Sequence, residues 1–216
     1  MPEGIDRAAP FRSGDVLDCL KANGITFIGR YYKPRRYDGS ISSYVLTTKE
    51  AQLISSKGLY IVAVYQDHGR RFSHFTYAIG GNDYSQAMER AAEIGQPTDS
   101  PIYFAVDYDA AGSGTLDSVY SYFRGILDRK LRSEALGNRT WPVGVYGSAD
   151  VVYNVAQRFP EIAYKWQTAA WSRGEVTDYN LYQYEIDVRF EGCPKAGRID
   201  RVRSNGRGGG FRLKHE

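Results

Sequence analysis

Asp107 and Asp109 stand two residues apart at the end of an apolar run, Pro-Ile-Tyr-Phe-Ala-Val-Asp-Tyr-Asp, over residues 101–109. Side chains at i and i+2 of a strand share a face, with Cα atoms about 6.6 Å apart. Two partly buried carboxyls that close resist ionising together, so one keeps its proton to a higher pH than the other. An acid beside a base or nucleophile is what glycoside hydrolysis requires. The i, i+2 spacing fits either a retaining or an inverting arrangement. The competing readings are a pair of solvated loop aspartates, or Asp109 as a cap before the next helix. Asp6 closes the first strand candidate, Glu185 and Asp187 close the seventh, and Asp200 lies in the last. Tyr31, Tyr32, Tyr65, Tyr108, Tyr146, Trp171 and Tyr184 fall at the same level and, with Glu185, are candidate substrate contacts. Some of these aromatics must instead be core, and Trp166 reads as core more readily than Trp171.

Strands alternating with helices must position these groups. Apolar or β-rich segments occur at 4–8, 25–32, 59–66, 101–109, 142–148, 164–171, 181–188 and 198–203. The segment 59–66 is almost wholly apolar, as a strand buried on both faces should be. Helical patterns follow the first five strands. They run from a Ser13 cap to about residue 22, from Thr47 or Thr48 to Lys57, and over about 83–94, 115–135 and 149–158. A long loop is expected at 67–82, where Gly69, Gly80 and Gly81 fall. The stretches 172–180 and 189–197 are too short and Gly-rich for full helices. Alternation of this kind indicates βαβ units and a parallel sheet, and eight strands suggest a closed barrel whose active site lies at the strands' C-terminal ends. The expectation is an α/β fold, an irregular TIM-type (β/α)8 barrel of approximate form (β/α)5β3. It would be one domain over 1–203 with a flexible tail at 204–216.

Composition removes several other classes. The 216 residues carry a net charge of only +3, without the strong basic stripe of a nucleic-acid binder. The cluster Lys33-Pro34-Arg35-Arg36 and the Arg-rich end from Arg198 to Arg207 read as solvated loop and tail, or as contacts to an anionic polymer. The histidines, His68, His74 and His215, form no zinc-protease pattern, so neither metal nor cofactor is expected. No apolar run is long enough to span a membrane. No leader is visible, which leaves a removed leader, a cytosolic protein or a leaderless export route. Cys19 and Cys193 have no metal-ligand spacing. A bridge between them stays open, requiring barrel closure to bring the first helix near the loop before the last strand.

An ordered set of motifs adds a resemblance. It comprises Gly-Ile-Asp on strand one, Ile-Gly-Arg-Tyr-Tyr on strand two and Ile-Tyr-Phe-Ala-Val-Asp-Tyr-Asp on strand four. Pro-Val-Gly-Val-Tyr-Gly-Ser, Trp-Gln-Thr-Ala-Ala-Trp and Leu-Tyr-Gln-Tyr follow on strands five to seven, and a late Ile-Asp on strand eight. Together they resemble the glycoside hydrolase-like domain family of bacterial cell-envelope proteins, which looks related to the muramidases of glycoside hydrolase family 25. The resemblance implies a peptidoglycan-like carbohydrate partner, a monomer and action in the cell envelope, periplasm or outside the cell. It also implies a site built from Asp6, Asp107, Asp109 and Asp200, with Asp109 as general acid. Where the muramidases carry Glu, this chain has Asp109, one methylene shorter. A non-catalytic glycan-binding module and an antibacterial lysin or toxin are the alternative readings.

Overall fold

The computed structural model describes residues 1–33, 40, 42–70, 72–110, 113–174 and 178–214. Pro34, Arg35 and Arg36 of the basic cluster, and His215, lie outside them. Eight strands close into one barrel in sequence order. They are β1 Glu3–Asp6, β2 Ile25–Tyr32, β3 Tyr60–Tyr65, β4 Ile102–Ala105, β5 Val143–Gly147, β6 Tyr164–Thr168, β7 Leu181–Arg189 and β8 Arg198–Ser204. Among the described residues, five α-helices lie between the early strands: α1 Gly14–Ala22, α2 Thr48–Ser56, α3 Tyr77–Ile94, α4 Ser113–Ala135 and α5 Ala149–Arg158. The hydroxyls of Thr47, Thr76 and Ser148 cap α2, α3 and α5 by accepting from the backbone N–H three residues on. Gly24, Gly58 and Gly95 take positive φ just beyond α1, α2 and α3 and end them. The irregular (β/α)5β3 barrel is thus the fold.

Strand alternation separates two cores. Phe27, Val62, Val64, Tyr103, Ala105, Tyr146, Trp166, Leu181 and Val202 fill the barrel interior. Their neighbours Ile28, Tyr32, Ile61, Tyr65, Ile102 and Phe104 face outward and pack beneath the helices. Gly29 makes room inside: a Cβ there would lie 2.8 Å from the Trp166 ring. Trp166 is fully buried and meets Tyr103 and Tyr146 edge-on, forming a floor under the barrel mouth.

Four expectations are corrected. First, β8 runs antiparallel to both β1 and β7. The connection from β7 is a short turn with one 3₁₀ helix, Pro194–Ala196, and a parallel return needs a crossover of a dozen or more residues. Second, β4 stops at Ala105, so Asp107 and Asp109 lie on the loop beyond it. Third, α3 begins at Tyr77, with Gly80 and Gly81 inside it. These glycines are contact points between helices. A Cβ on Gly80 would sit 2.0 Å from the Tyr122 carbonyl oxygen, and one on Gly125 2.0 Å from that of Tyr77. Fourth, the chain after β8 stays on the barrel. Phe211 exchanges backbone hydrogen bonds with Ile61 at 2.8 and 2.9 Å and is buried, and the Tyr103 hydroxyl donates to the Gly208 carbonyl at 3.0 Å. The glycines there allow a close approach to the barrel's lower rim, which composition alone reads as looseness.

Barrel closure also joins Cys19 on α1 to Cys193 before β8 as a disulfide, with Cα atoms 5.9 Å apart. The bridge spans 174 residues, so it restricts the unfolded chain strongly. Reduction should lower the unfolding free energy by roughly 2–4 kcal/mol. Urea midpoints with and without reductant measure it, and coincident midpoints would contradict it.

Candidate active site

Several strands and the loops after β3, β4 and β6 bring polar groups to the C-terminal end of the barrel. There, Tyr31, Gln66, Arg70, Asp107, Tyr146, Thr168, Trp171, Ile186 and Asp200 are among the residues lining a cavity of about 230 Å³. Their placement follows the interior parity. Residues 103 and 105 point inward, and Asp107 continues that row one step past the strand. Its Oδ2 accepts from Arg70 Nε at 2.7 Å and from Gln66 Nε2 at 3.2 Å. Its backbone N–H donates to the Gly69 carbonyl at 2.8 Å, which fixes the loop.

Asp6 and Asp200 are direct partners in the β1–β8 register. Reversal of β8 puts the start of that strand, and therefore Asp200, at the mouth. Asp6 is 1% exposed, accepts from the Tyr31 hydroxyl at 2.8 Å, and leaves Oδ1 buried without a partner. Burial, and then the neighbouring Asp200 carboxyl, push its pKa up to about 7, against smaller downward effects of Tyr31 and Arg30. Asp200 is also raised, by burial first and by its Asp187 and Asp107 neighbours. Its hydrogen bonds from Gln183 Nε2 at 2.5 Å and Asp187 N at 2.7 Å oppose that rise without cancelling it. The Tyr146 hydroxyl donates to Gln183 Oε1 at 2.6 Å, so a polar chain runs Tyr146–Gln183–Asp200.

The i, i+2 pair expected on β4 does not share a face. Asp109 turns aside, and both its oxygens meet Arg173 Nη2, at 3.1 and 2.8 Å. The end of strand pairing at Ala105 frees the backbone to rotate. The close carboxyl pair comes instead from β1 and β8, across a strand junction.

Several expected substrate contacts lie elsewhere. Tyr32 and Tyr65 face outward and are buried, their hydroxyls bound to Gln96 at 2.8 Å and Asp83 at 3.3 Å. Tyr108 packs on Phe75, with ring centroids 5.2 Å apart. Tyr184 points away from the interior, donating to Glu3 at 2.6 Å beneath the Arg201 guanidinium. Glu185 also faces Arg201, at 3.5 Å. A bulge in β7 between Gln183 and Val188 breaks the alternation there. It leaves Ile186 at the mouth and gives Asp187 a φ of 52° that aims its N–H at Asp200. Tyr31, Tyr146 and Trp171 do line the mouth. Gln66, Arg70, Thr168 and Gln183 went unmarked in the sequence. Parity counted from Val64, Trp166 and Leu181 would have found Gln66, Thr168 and Gln183, whereas Arg70 sits on a loop without periodicity.

Among the described residues, no group of three His, Cys, Asp or Glu side chains is arranged to hold a metal ion. No helix is long and apolar enough to cross a membrane. A larger depression, about 910 Å³, lies at the opposite rim between Tyr60, Tyr164 and Gly206–Gly210. Its Lys165 is paired with Asp178, and the mouth carboxyls are not part of it.

The family described as Rv2525c-like, glycoside hydrolase-like domain matches residues 18–204. FadG of Bacillus subtilis (strain 168) is 30% identical over 146 residues, which is 68% of this chain but 24% of FadG. The chain therefore spans about a quarter of that relative. The Tat-secreted protein Rv2525c of Mycobacterium tuberculosis, solved with L-tartrate, is 24% identical with a TM-score of 0.69, over 97% of this chain and 98% of that one. The modular autolysin LytC of Streptococcus pneumoniae, solved with a synthetic peptidoglycan ligand, is 14% identical with a TM-score of 0.61, over 93% of this chain and 46% of LytC. At these identities both structures speak for the fold.

Proposed function

Because the chain belongs to the Rv2525c-like, glycoside hydrolase-like domain family, we propose that its barrel mouth hydrolyses glycosidic bonds of bacterial cell-wall glycan, as a muramidase does. The observation that carries this reading is the convergence of Asp6, Asp107 and Asp200 from β1, the β4 loop and β8 at one end of the barrel. Asp200 lines the cavity and is driven toward its protonated form, so it is the proton donor to the leaving oxygen. Asp107, held opposite Arg70, is the carboxylate that stabilises the oxocarbenium-like transition state or attacks. Asp6 orients Tyr31, and Tyr146 and Trp171 contact the sugar ring. The proton donor is thus reassigned from Asp109, which is turned to Arg173.

That same turn favours a second reading, a glycan-binding barrel without hydrolysis. Release of reducing ends from purified peptidoglycan separates the two. Asp107→Asn and Asp200→Asn should each lower the rate by about 100-fold or more, with activity falling as pH rises through the Asp200 titration. Sedimentation of wild-type chain with insoluble peptidoglycan, with no reducing ends released between mildly acidic and neutral pH, would establish the binding module instead. Action outside the cytoplasm fits both readings. The Cys19–Cys193 disulfide persists in oxidising surroundings, and the similar Rv2525c is described as Tat-secreted.

A further inference from the structure

The loop after β6 carries Trp171 to the mouth in an unusual way. Trp171 has a φ of 60°, a left-handed conformation that a bulky side chain adopts only when its surroundings hold it there. It is 52% exposed and lines the cavity that holds Asp107 and Asp200. An exposed indole in a strained backbone beside an acidic cavity has no core to fill.

The fastening of this loop is equally specific. Next in the chain but one, Arg173 reaches both oxygens of Asp109 on the β4 loop and, through Nη1, Asp150 at 3.3 Å in the first turn of α5. Ser172 Oγ accepts from the Ala149 N–H at 3.0 Å, and the Gly174 carbonyl accepts from Gln167 Nε2 at 3.2 Å. These two bonds hold Ser172 and Gly174 to α5 and β6. The Arg173 ion bridge reaches across to the β4 side of the mouth.

We infer that Asp109 and Arg173 form a latch that holds Trp171 beside the mouth as a stacking surface for a sugar ring of the bound glycan. The stacking half of this inference rests on the glycan reading above; the latch half does not. Asp109 is then a positioning residue acting through Arg173 and Trp171. Sugar rings present faces of C–H groups, which an indole face matches in size and polarity. Arg173 and Asp109 are 57% and 46% exposed, so the latch is weak, salt-screened and able to open as a polymer threads in.

The other two tryptophans, Trp141 and Trp166, are buried, so quenching of fluorescence by acrylamide reads Trp171 selectively. Arg173→Gln and Asp109→Asn should both increase quenching, as should molar salt on the wild type. Both should weaken chitotetraose binding by about two- to five-fold, raise KM on peptidoglycan and retain kcat. The double variant should be no worse than Arg173→Gln alone. Unchanged quenching in both variants would overturn the latch. Loss of kcat in Asp109→Asn but not in Arg173→Gln would make Asp109 a proton donor and also overturn it. Shifted quenching in a chain whose wild type binds neither chitotetraose nor peptidoglycan would uphold the latch and remove the glycan reading.

Discussion

Asp6→Asn should make the protein more stable at pH 8 and leave it nearly unchanged at pH 4. The Asp6 carboxyl is fully buried, and its pKa is pushed up to about 7 from an ordinary 3.8. The folded state therefore favours the protonated form. That preference is fully satisfied below the unfolded value near 4, and is lost progressively as pH rises from there through about 7. Above pH 7 the native fold must hold a carboxylate beside Asp200, away from water. Asn is neutral at every pH and nearly the same shape. At about 1.4 kcal/mol per unit, the shift sets an upper limit of about 4 kcal/mol on the gain, and a realised gain of about 2–4 kcal/mol is expected. In a chain of this size, that is roughly 5–15 °C in melting temperature. Thermal unfolding of both proteins at pH 4, 6 and 8 checks it. An equal difference at all three values would mean that Asp6 carries no charge penalty. On the hydrolase reading proposed above, the same substitution should also lower the release of reducing ends from peptidoglycan.

The opposite outcome is expected at Arg30, one pleat away on the outer face of β2. Its guanidinium is wholly buried and meets Glu50 at 2.9 and 3.1 Å. It also donates to the carbonyls of Arg7, Ala8 and Tyr44, while Glu50 accepts the Phe11 N–H at 2.8 Å. Arg30 thus ties the β1–α1 loop and the segment before α2 to the barrel wall beneath the mouth. Arg30→Met should cost about 3–5 kcal/mol, because Glu50 remains buried without its counter-charge. Arg30→Met with Glu50→Met should recover only the part of that loss that comes from the uncompensated charge, because the carbonyls of Arg7, Ala8 and Tyr44 and the Phe11 N–H still lack their partners. Urea unfolding of the single and double variants measures both effects. A single-variant loss below about 1 kcal/mol, or a double variant worse than the single, would contradict the account. Arg30 also lowers the Asp6 pKa, so its removal should push the Asp6 titration higher still.

The two residues differ in how visible they are before folding. Asp6 ends an apolar strand, and barrel geometry marks such ends. Arg30 lies in the middle of Ile-Gly-Arg-Tyr-Tyr, a strand segment in which nothing marks what its charge pairs with. Its partner Glu50 is 20 residues away on a helix whose rotation the sequence does not specify. Tyr32 and Tyr65 show the same limit. Each ends a strand at the level of the mouth, but their parity turns them to the helix layer. Level along a strand is readable from length, while facing depends on counting from a known interior residue.

For this protein, the sequence by itself determined the strand and helix order, the (β/α)5β3 form and which end of the barrel holds the carboxyls. Local pattern carries those features: apolar runs, caps, glycine stops and connections too short for helices. Only the tertiary structure decided which two carboxyls are close. Asp107 and Asp109 are neighbours in sequence but part where the β4 ladder ends, and Asp109 goes to Arg173. Asp6 and Asp200 are 194 residues apart in number, and they meet because β8 is forced antiparallel by its short connection and closes against β1. Their raised pKa values follow from that closure, since burial and the proximity of two like charges exist only once the barrel is shut.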